Sequence, residues 1–319
     1  MNPDSLQWEP SASIDILRQR ARIVSCIRAF FNARDYLEVE TPVMARFGIT
    51  DRYLSNIPAL FRGESYALQT SPEYHMKRLL AAGSGPIFQI ARVFRDDELG
   101  RWHNPEFSLL EWYQLGIDHH TLLQEVDVFL QQMLDCPPVM IKTYREAFEE
   151  TCGLDPFDAA LSVLKKTVHH FGLQHVLPAD ETDRDQYLFL LMSHVVEPSF
   201  ALLLPPVAVI DFPPSQASLA VIRHGVAERF EVYYRGVELA NGFHELTDPA
   251  HQAARFQADI AAREACGLPQ PASDEFLLKA LQHGLPPCSG VALGVDRLMA
   301  LCFHQPSIAN TLAFDFSRA

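Results

Sequence analysis

The spacing of apolar residues divides the chain into helices and strands. Apolar side chains recur every three or four positions from Ile14 to Phe31, which predicts an amphipathic helix with Ser13 as its N-cap. Two apolar runs, 88–94 and 107–113, predict a pair of strands, and the polar segment between them predicts the loop of a hairpin. The first third of the chain therefore mixes helix and strand.

The same mixture continues along the chain. Residues 66–83 predict a strand, a turn and a helix that starts at Ser71 and Pro72, because proline suits the first helical position. Residues 143–200 have a helical pattern but contain no recognisable motif.

A second hairpin is predicted in the C-terminal half. Apolar and polar residues alternate from Phe230 to Tyr234, and the chain then turns at Gly236 into the segment VELANGFHEL. Residues 288–301 predict a strand, a glycine turn and a helix.

Composition narrows the possible partners. The chain has 319 residues, of which 48% are hydrophobic, so it can bury a large core. Lys and Arg number 26 and Asp and Glu number 40, which gives a net charge of −14. Nucleic-acid binding depends largely on neutralising phosphates, and the sequence has no run of basic residues. The composition therefore argues against a protein that wraps RNA.

The six cysteines are scattered and include no CxxC pair, which is the spacing of neither a zinc site nor a small disulfide scaffold. The N-terminal segment lacks a basic region followed by an apolar stretch, and no run of about 18 apolar residues occurs. We therefore expect reduced thiols, a cytoplasmic protein and no membrane partner.

The loop of the first hairpin concentrates residues with binding chemistry. Arg95 follows the first strand, and Phe107 begins the second. A guanidinium can bind a phosphate through two hydrogen bonds and an aromatic ring can stack on a purine, so the pair suits a nucleoside triphosphate. A charged loop of this kind also occurs as a solvated hairpin end, and the residue types alone do not decide between the two.

Four acids are candidate ligands. Glu231 and Glu238 in the second hairpin could hold Mg²⁺, because a hard cation prefers oxygen ligands, and Glu245 suits an ammonium group. Acids on a strand also commonly face solvent. Glu73 falls in the first turn of its predicted helix, where a carboxylate ordinarily complements the helix dipole.

Three segments resemble the signature motifs of class-II aminoacyl-tRNA synthetases. RVFRDDELGRWHNPEFSLLEWY resembles the second motif as carried by lysyl-tRNA synthetases and their shorter paralogues, with HNPEF as the most specific part. CSGVALGVDRLMAL resembles the third motif, with Gly290, Gly294 and Arg297 in register. The first predicted helix, the strand after it and Pro42 resemble the first motif.

The resemblance implies an α+β fold, the class-II aminoacyl-tRNA synthetase catalytic fold, in which an antiparallel sheet is flanked by helices. Because it covers essentially the whole chain, we expect residues 1–319 to form a single catalytic domain. A homodimer is also implied, since the first motif forms the dimer interface in that family.

The resemblance further implies that ATP is a substrate and Mg²⁺ a cofactor, with Arg95 and Arg297 as catalytic residues and Glu231 and Glu238 as metal ligands. The acid that reads adenine is usually a glutamate, whereas the register here gives Asp97 with Glu98 beside it, and the choice between the two stays open. The implied ATP-binding residues are Arg95, Asp96, Asp97, His103, Asn104, Phe107, Glu238, Leu239, Gly294 and Arg297.

The segments TSPE and ELANGFHEL resemble the amino-acid site of the lysyl enzymes. This implies that Glu73 meets the amino group of the substrate and that Glu245 selects its side-chain ammonium. Ala292 stands where the third motif has its middle glycine and adds a methyl group to the floor of the pocket. The implied substrate-binding residues are Ser71, Pro72, Glu73, Tyr113, Asn241, Glu245 and Ala292.

Three features favour the shorter paralogues over the lysyl-tRNA synthetases: no segment for an anticodon-binding module, the acidic charge and Ala292. The resemblance then implies a ligase that activates (R)-β-lysine or lysine and transfers it to a lysine of elongation factor P, with no tRNA as partner. The alternatives are a truncated lysyl-tRNA synthetase, an asparagine-synthetase-like enzyme and a non-catalytic lysine sensor.

Overall fold

The computed structural model describes residues 8–96 and 99–319, so Asp97 and Glu98 lie outside the described residues. The chain forms two compact units, Met1–Asp118 with Glu245–Ala319, and His119–His244. We refer to them as the first unit and the second unit. The first unit is therefore discontinuous in sequence, and the second is one unbroken stretch.

Helices and strands alternate along the chain. The helices are α1 (Ile14–Asn32), α2 (Glu73–Ala81), α3 (His119–Leu134), α4 (Tyr144–Cys152), α5 (Leu161–His170), α6 (Arg184–Leu191), α7 (Glu197–Ser199), α8 (Pro249–Ala265), α9 (Glu275–Gly284) and α10 (Val295–Cys302). The strands are β1 (Leu37–Glu38), β2 (Met44–Ala45), β3 (Pro58–Phe61), β4 (Glu64–Leu68), β5 (Ile87–Phe94), β6 (Glu106–Leu115), β7 (Met140–Thr143), β8 (Val207–Phe212), β9 (Ile222–Arg223), β10 (Val226–Tyr234), β11 (Val237–His244) and β12 (Cys288–Gly294).

In the first unit, β5 and β6 form the predicted hairpin and β12 pairs antiparallel with β6. The short β1 adds to β5 in parallel, and β2, β4 and β3 make a separate small sheet. Helix α1 begins where the sequence predicts, because the Ser13 hydroxyl accepts a hydrogen bond from the Ile16 amide. It packs Phe31 against Phe88 of β5 with ring centroids 4.6 Å apart.

In the second unit, β10 pairs antiparallel with both β11 and β8, β7 pairs parallel with β8, and β9 pairs with β10. The segment without a motif, 143–200, supplies helices α4 to α6 over this sheet. Phe148, Leu164 and Leu191 form a buried core with the β8 residue Val209. The segment therefore covers one face of the strands that carry predicted ligands.

Both units are built on mainly antiparallel strands with packed helices, so the predicted α+β class is confirmed. Whether the two units act as one catalytic domain stays a prediction. Within the described residues, no helix combines the length and apolarity needed to cross a bilayer.

Candidate active site

One face of the sheet in the first unit brings predicted site residues together. Alternate residues of a strand share a face, and directly paired residues of neighbouring strands share it too. Tyr113 pairs with Gly290, and Glu111 pairs with Ala292. Phe107 lies on the same face of β6, four residues before Glu111. The predicted nucleotide-stacking residue and the predicted floor of the amino-acid pocket therefore lie along one surface.

The predicted ammonium ligands Glu73 and Glu245 both contact one lysine. The Lys77 ammonium donates to Glu73 Oε1 at 2.6 Å and forms an ion pair with Glu245 Oε2 at 2.5 Å. Lys77 and Glu245 are almost fully buried, with side chains 1% exposed, while Glu73 is 14% exposed. Because Glu73 and Lys77 are four residues apart on α2, they occupy the same side of the helix. The two carboxylates are thus arranged to bind a cationic group.

A third buried acid, Glu111, lies beside this pair and is fixed by two hydroxyl groups. Ser71 Oγ donates to Glu111 Oε2 at 2.7 Å, and Tyr113 Oη donates to Glu111 Oε1 at 2.6 Å. Ser71 also accepts the Glu73 amide at 3.0 Å, which positions the start of α2. Predicted residues Ser71, Glu73 and Tyr113 are therefore connected in one hydrogen-bonded cluster.

Burial dominates the electrostatics of the cluster. Burial raises the pKa of Glu111 and that of Glu245, and the neighbouring Glu73 carboxylate raises both further. Burial alone would lower the pKa of Lys77, but Glu245 and Glu73 outweigh it and raise that pKa above its ordinary value. Lys77 is therefore a cation beside two carboxyl groups, Glu111 and Glu245, whose ionisation is disfavoured.

Gly290 allows this cluster to form. A methyl group at Gly290 would lie 2.2 Å from the Tyr113 ring and 2.7 Å from Glu245 Oε1, distances that no packing accommodates. The glycine is needed here for close approach and not for backbone conformation. This gives the predicted third-motif glycine a physical reason.

Arg95 and Phe107 lie next to each other, as the predicted nucleotide site requires. The Arg95 guanidinium carbon is 5.1 Å from the centroid of the Phe107 ring. The Arg95 amide donates to Pro105 O at 3.0 Å, which holds the two ends of the loop together. Asp96 is exposed, and its amide donates to Ser55 O at 3.0 Å. The predicted adenine-reading residues Asp97 and Glu98 lie outside the described residues.

Arg297 contacts the same loop from helix α10. Its Nη2 lies 2.8 Å from His103 Nε2, and its Nε donates to Trp102 O at 3.2 Å. A guanidinium has no acceptor, so His103 Nε2 accepts this hydrogen bond. Gly294 precedes α10 directly, and so the predicted Gly294, Arg297 and His103 are brought together at the hairpin loop.

Asn104 has a supporting role in the loop. Its Nδ2 donates to Glu106 O at 2.6 Å and its Oδ1 accepts from the Phe316 amide at 3.0 Å. Both polar ends of the buried side chain are thus engaged with backbone, which ties the C-terminal segment to the loop.

The predicted metal ligands lie in the second unit. Glu231 pairs with Asn241 across β10 and β11, and a register shift after Val232 leaves Leu239 without a partner on β10. This bulge places Glu238 opposite Tyr233, on the side of Glu231, because a bulge redirects the side chains after it. The Leu239 side chain is itself buried in the core.

The donor set of these residues fits a divalent cation. Burial and the Glu238 carboxylate raise the pKa of Glu231, against the opposing effect of Arg229. The Glu231 carboxylate also accepts from Arg229 and from the Tyr233 hydroxyl. The Glu231 carboxylate, whose ionisation is disfavoured, lies beside a second carboxylate and would gain from a bound cation, and carboxylate oxygens are ligands that Mg²⁺ prefers.

Sequence reasoning did not single out four residues that the structure places in these clusters: Lys77, Glu111, Arg229 and Tyr233. A signal existed for two of them. Lys77 follows Glu73 by one helical turn, and Glu111 precedes Tyr113 by two residues on a strand, so each shares a face with a predicted ligand. Arg229 donates to Asn241 Oδ1 at 3.2 Å and thereby orients a predicted substrate residue.

Comparison with known proteins agrees with the motifs. The sequence model of the family described as tRNA synthetases class II (D, K and N) matches residues 4–318. The elongation factor P–(R)-β-lysine ligase of Pasteurella multocida is 50% identical over 321 residues, covering 98% of each chain. The ligases of the same name from Salmonella gallinarum and Vibrio cholerae are 49% and 48% identical, with 99% and 98% of each chain covered. The chain therefore belongs to the D, K and N family of class II tRNA synthetases.

Proposed function

We propose that this protein is an ATP-dependent, AMP-forming ligase that activates (R)-β-lysine and transfers it to a lysine side chain of elongation factor P. The observation that carries the proposal is the convergence of Glu73 and Glu245 on the Lys77 ammonium, because it supports a site in which two carboxylates are arranged for amine ligands. The names of relatives that are about 50% identical over their whole length support the same activity.

In the proposed amino-acid site, Glu73 binds the amino group on the substrate backbone and Glu245 binds the side-chain ammonium. Tyr113 and Ser71 hold Glu111 in place beside them. Pro72 starts the helix that carries Glu73, Asn241 orients the substrate, and Ala292 forms the floor.

In the proposed nucleotide site, Phe107 stacks on adenine and the guanidinium groups of Arg95 and Arg297 bind phosphates. His103 accepts from Arg297 and holds its guanidinium in one orientation. The site is completed by Asp96, Asp97, Asn104, Leu239 and Gly294. Glu231 and Glu238 would hold Mg²⁺, which supplies positive charge to the phosphates when bound.

The reaction needs no side-chain nucleophile. A carboxylate oxygen of the amino acid attacks the α-phosphorus of ATP, and the bond to pyrophosphate breaks. The arginines stabilise the charge that develops on the phosphate oxygens. The acceptor lysine amine then attacks the activated carbonyl, an amide forms, and AMP leaves. Since the ordinary lysine pKa is near 10.4, only about 0.04% of such amines are neutral at pH 7, so the acceptor amine must give its proton to solvent or to a base before it attacks.

The acceptor distinguishes this function from a truncated tRNA synthetase. The chain carries a net charge of −14, and repulsion between an acidic protein and a polyphosphate lowers both encounter rate and affinity. We expect pre-formed enzyme–adenylate to label elongation factor P at one lysine and to leave bulk tRNA unlabelled. The measurement incubates radiolabelled (R)-β-lysine, ATP and enzyme with each acceptor separately.

An elongation factor P variant with its acceptor lysine replaced by arginine serves as the control. Label in tRNA with none in the protein would favour the truncated synthetase. Failure of every diamino acid to support ATP–pyrophosphate exchange would favour a non-catalytic sensor.

Ala292 is proposed to favour the β-amino isomer. Its methyl group lies opposite Glu111 and packs with Phe107 above a small cluster that includes Ala91. One carbon in a pocket is worth roughly 1–3 kcal/mol, so Ala292→Gly is expected to shift the kcat/KM ratio of α-lysine to (R)-β-lysine upward by about tenfold. Ala91→Gly removes a methyl from the same cluster and is the matched control. An unchanged ratio in Ala292→Gly would remove this residue from the specificity set.

We also propose a cytoplasmic homodimer. Support comes from apolar side chains that are exposed on the elements of the first motif, among them Ile14 at 55% and Leu37 at 54%. Six free cysteines are consistent with a reducing compartment. Sedimentation of the purified protein is expected to give twice the chain mass of 36.0 kDa; a species of single mass at micromolar concentration would contradict the dimer.

A further inference from the structure

The pocket that holds Glu73 and Glu245 contains a fixed cation. Lys77 extends from α2 into the cluster and contacts both carboxylates, and its side chain is 1% exposed. Nothing in the proposed reaction uses this ammonium chemically. A buried lysine is costly to desolvate, so its presence calls for a physical explanation.

The formal charge of the cluster provides one. Two carboxylates, Glu73 and Glu245, contact one ammonium, and the buried Glu111 carboxylate interacts with it electrostatically, which leaves a formal charge of −2 when all three are ionised. (R)-β-lysine and lysine each carry two ammonium groups. The two ammonium groups of such a substrate, together with Lys77, match the three pocket carboxylates, whereas an amino acid with one ammonium leaves one of these carboxylates uncompensated.

We propose that Lys77 is a specificity-determining residue that sets the charge of the amino-acid pocket at −2, so that the pocket accepts diamino acids. The inference rests on the proposed function and deepens it, because it explains how the carboxylates that recognise the substrate avoid an excess of negative charge. Lys77 acts through Glu73 and Glu245, and not by contact with the substrate.

The titratable groups around Lys77 determine which protons the cluster gains or loses near neutral pH. They are Glu73 on its own helix, Glu245, Glu111 on β6 and Cys288 on β12, and Tyr113 lies beside Glu111. Burial raises the pKa of Cys288 to about 12 and that of Tyr113 well above its ordinary value, so both stay neutral. Burial, with Glu73, raises the pKa of Glu111 to about 7 and that of Glu245 to about 8. Protons that the cluster carries near neutral pH therefore reside on carboxylates.

Removal of the Lys77 ammonium should change the pH dependence of substrate binding in one direction. Without Lys77, each remaining carboxylate is harder to ionise, so the pKa values of the cluster rise and fewer carboxylates are ionised at pH 7. The two ammonium groups of the substrate bind ionised carboxylates. Binding in the variant is therefore weakest below neutral pH and recovers as the pH rises through the raised pKa values.

The test compares Lys77→Met with Lys77→Met/Glu111→Gln, in which the loss of one carboxylate restores the formal charge of −2. ATP–pyrophosphate exchange with (R)-β-lysine is measured from about pH 6 to 9, a range that spans the carboxylate titration. We expect Lys77→Met to raise KM at pH 7 by about tenfold or more while kcat changes by less than about threefold. The acidic limb of kcat/KM should move upward by about one pH unit.

The double variant is expected to recover KM to within about threefold of wild type and to restore the pH profile. Lys77→Arg retains the charge and should keep the wild-type pH profile. Lys279 is an exposed lysine on α9, and Lys279→Met is the matched control for the lysine-to-methionine substitution. The inference is overturned if folded Lys77→Met has the same acidic limb of kcat/KM as wild type. It is also overturned if the double variant does not recover the wild-type KM and pH profile. If Lys77→Met fails to fold, the double variant decides alone: a KM within about threefold of wild type with a wild-type pH profile supports the inference, and a raised KM or a shifted profile overturns it.

Failure of the proposed function gives a different result. Wild-type protein that shows no exchange with any diamino acid refutes the function itself. Wild-type exchange that is normal, together with variants whose KM and pH profile do not respond to charge, refutes only the assignment to Lys77.

Discussion

Substitution of Arg297 by alanine is expected to reduce ATP–pyrophosphate exchange by about three orders of magnitude while the protein stays folded. The guanidinium is held by His103 Nε2 at 2.8 Å and by Trp102 O at 3.2 Å, so it is already oriented before ATP arrives. A pre-oriented cation at a phosphate is worth roughly 10²–10⁵ in rate, because it stabilises charge that develops only in the transition state.

Two further variants sharpen this prediction. Arg297→Lys keeps the charge but loses the planar fork, so it should recover only part of the rate. Arg92→Ala is the control, because Arg92 is a half-exposed arginine on β5 whose Nε lies 3.7 Å from an exposed acid, Glu106. Circular dichroism verifies folding. Retention of a tenth of wild-type exchange by Arg297→Ala would remove the residue from the catalytic set.

Glu245→Gln is expected to lower kcat/KM for (R)-β-lysine by about two to three orders of magnitude, mainly through KM. Loss of one partner from a buried charge pair costs about 3–5 kcal/mol, and each 1.36 kcal/mol is a factor of ten. The effect should be large here because Glu245 is buried and its carboxylate forms an ion pair with Lys77, whose ammonium also contacts Glu73.

Selectivity separates this role from a structural one. A β-amino acid of the same length that lacks the side-chain ammonium should lose far less activity in Glu245→Gln than (R)-β-lysine does. Glu106→Gln, at a side chain that is 52% exposed, controls for the substitution. Equal losses for both substrates would mean that Glu245 supports the fold and does not read the ammonium.

Much of the first unit follows from local patterns in the sequence. The alternation of apolar residues predicts the hairpin β5–β6, and the third motif predicts β12 followed by α10. These elements are readable because each buries one face and has a turn or cap residue at its end. The closeness of Arg95, Phe107 and Arg297 then follows once the strands pair.

Other features could not be predicted because they depend on burial or register. The apolar run around Glu111 predicts only a buried strand, and its acid is tolerated because Ser71 and Tyr113 supply hydrogen bonds from elsewhere. Lys77 has the appearance of an ordinary helix-surface residue until α2 packs against the pocket. The bulge at Leu239 depends on how β10 and β11 pair, and spacing alone does not indicate it.

The discontinuity of the first unit has a consequence for the order in which the protein is made. The ribosome delivers Glu73 and Lys77 early, but Glu245, β12 and Arg297 arrive only after the whole of His119–His244 has been synthesised. The second unit has all of its own segments in one stretch and can complete its strands first. Until then the nascent chain holds Lys77 without the Glu245 carboxylate that pairs with it, so the amino-acid pocket is among the last parts of the protein to become whole.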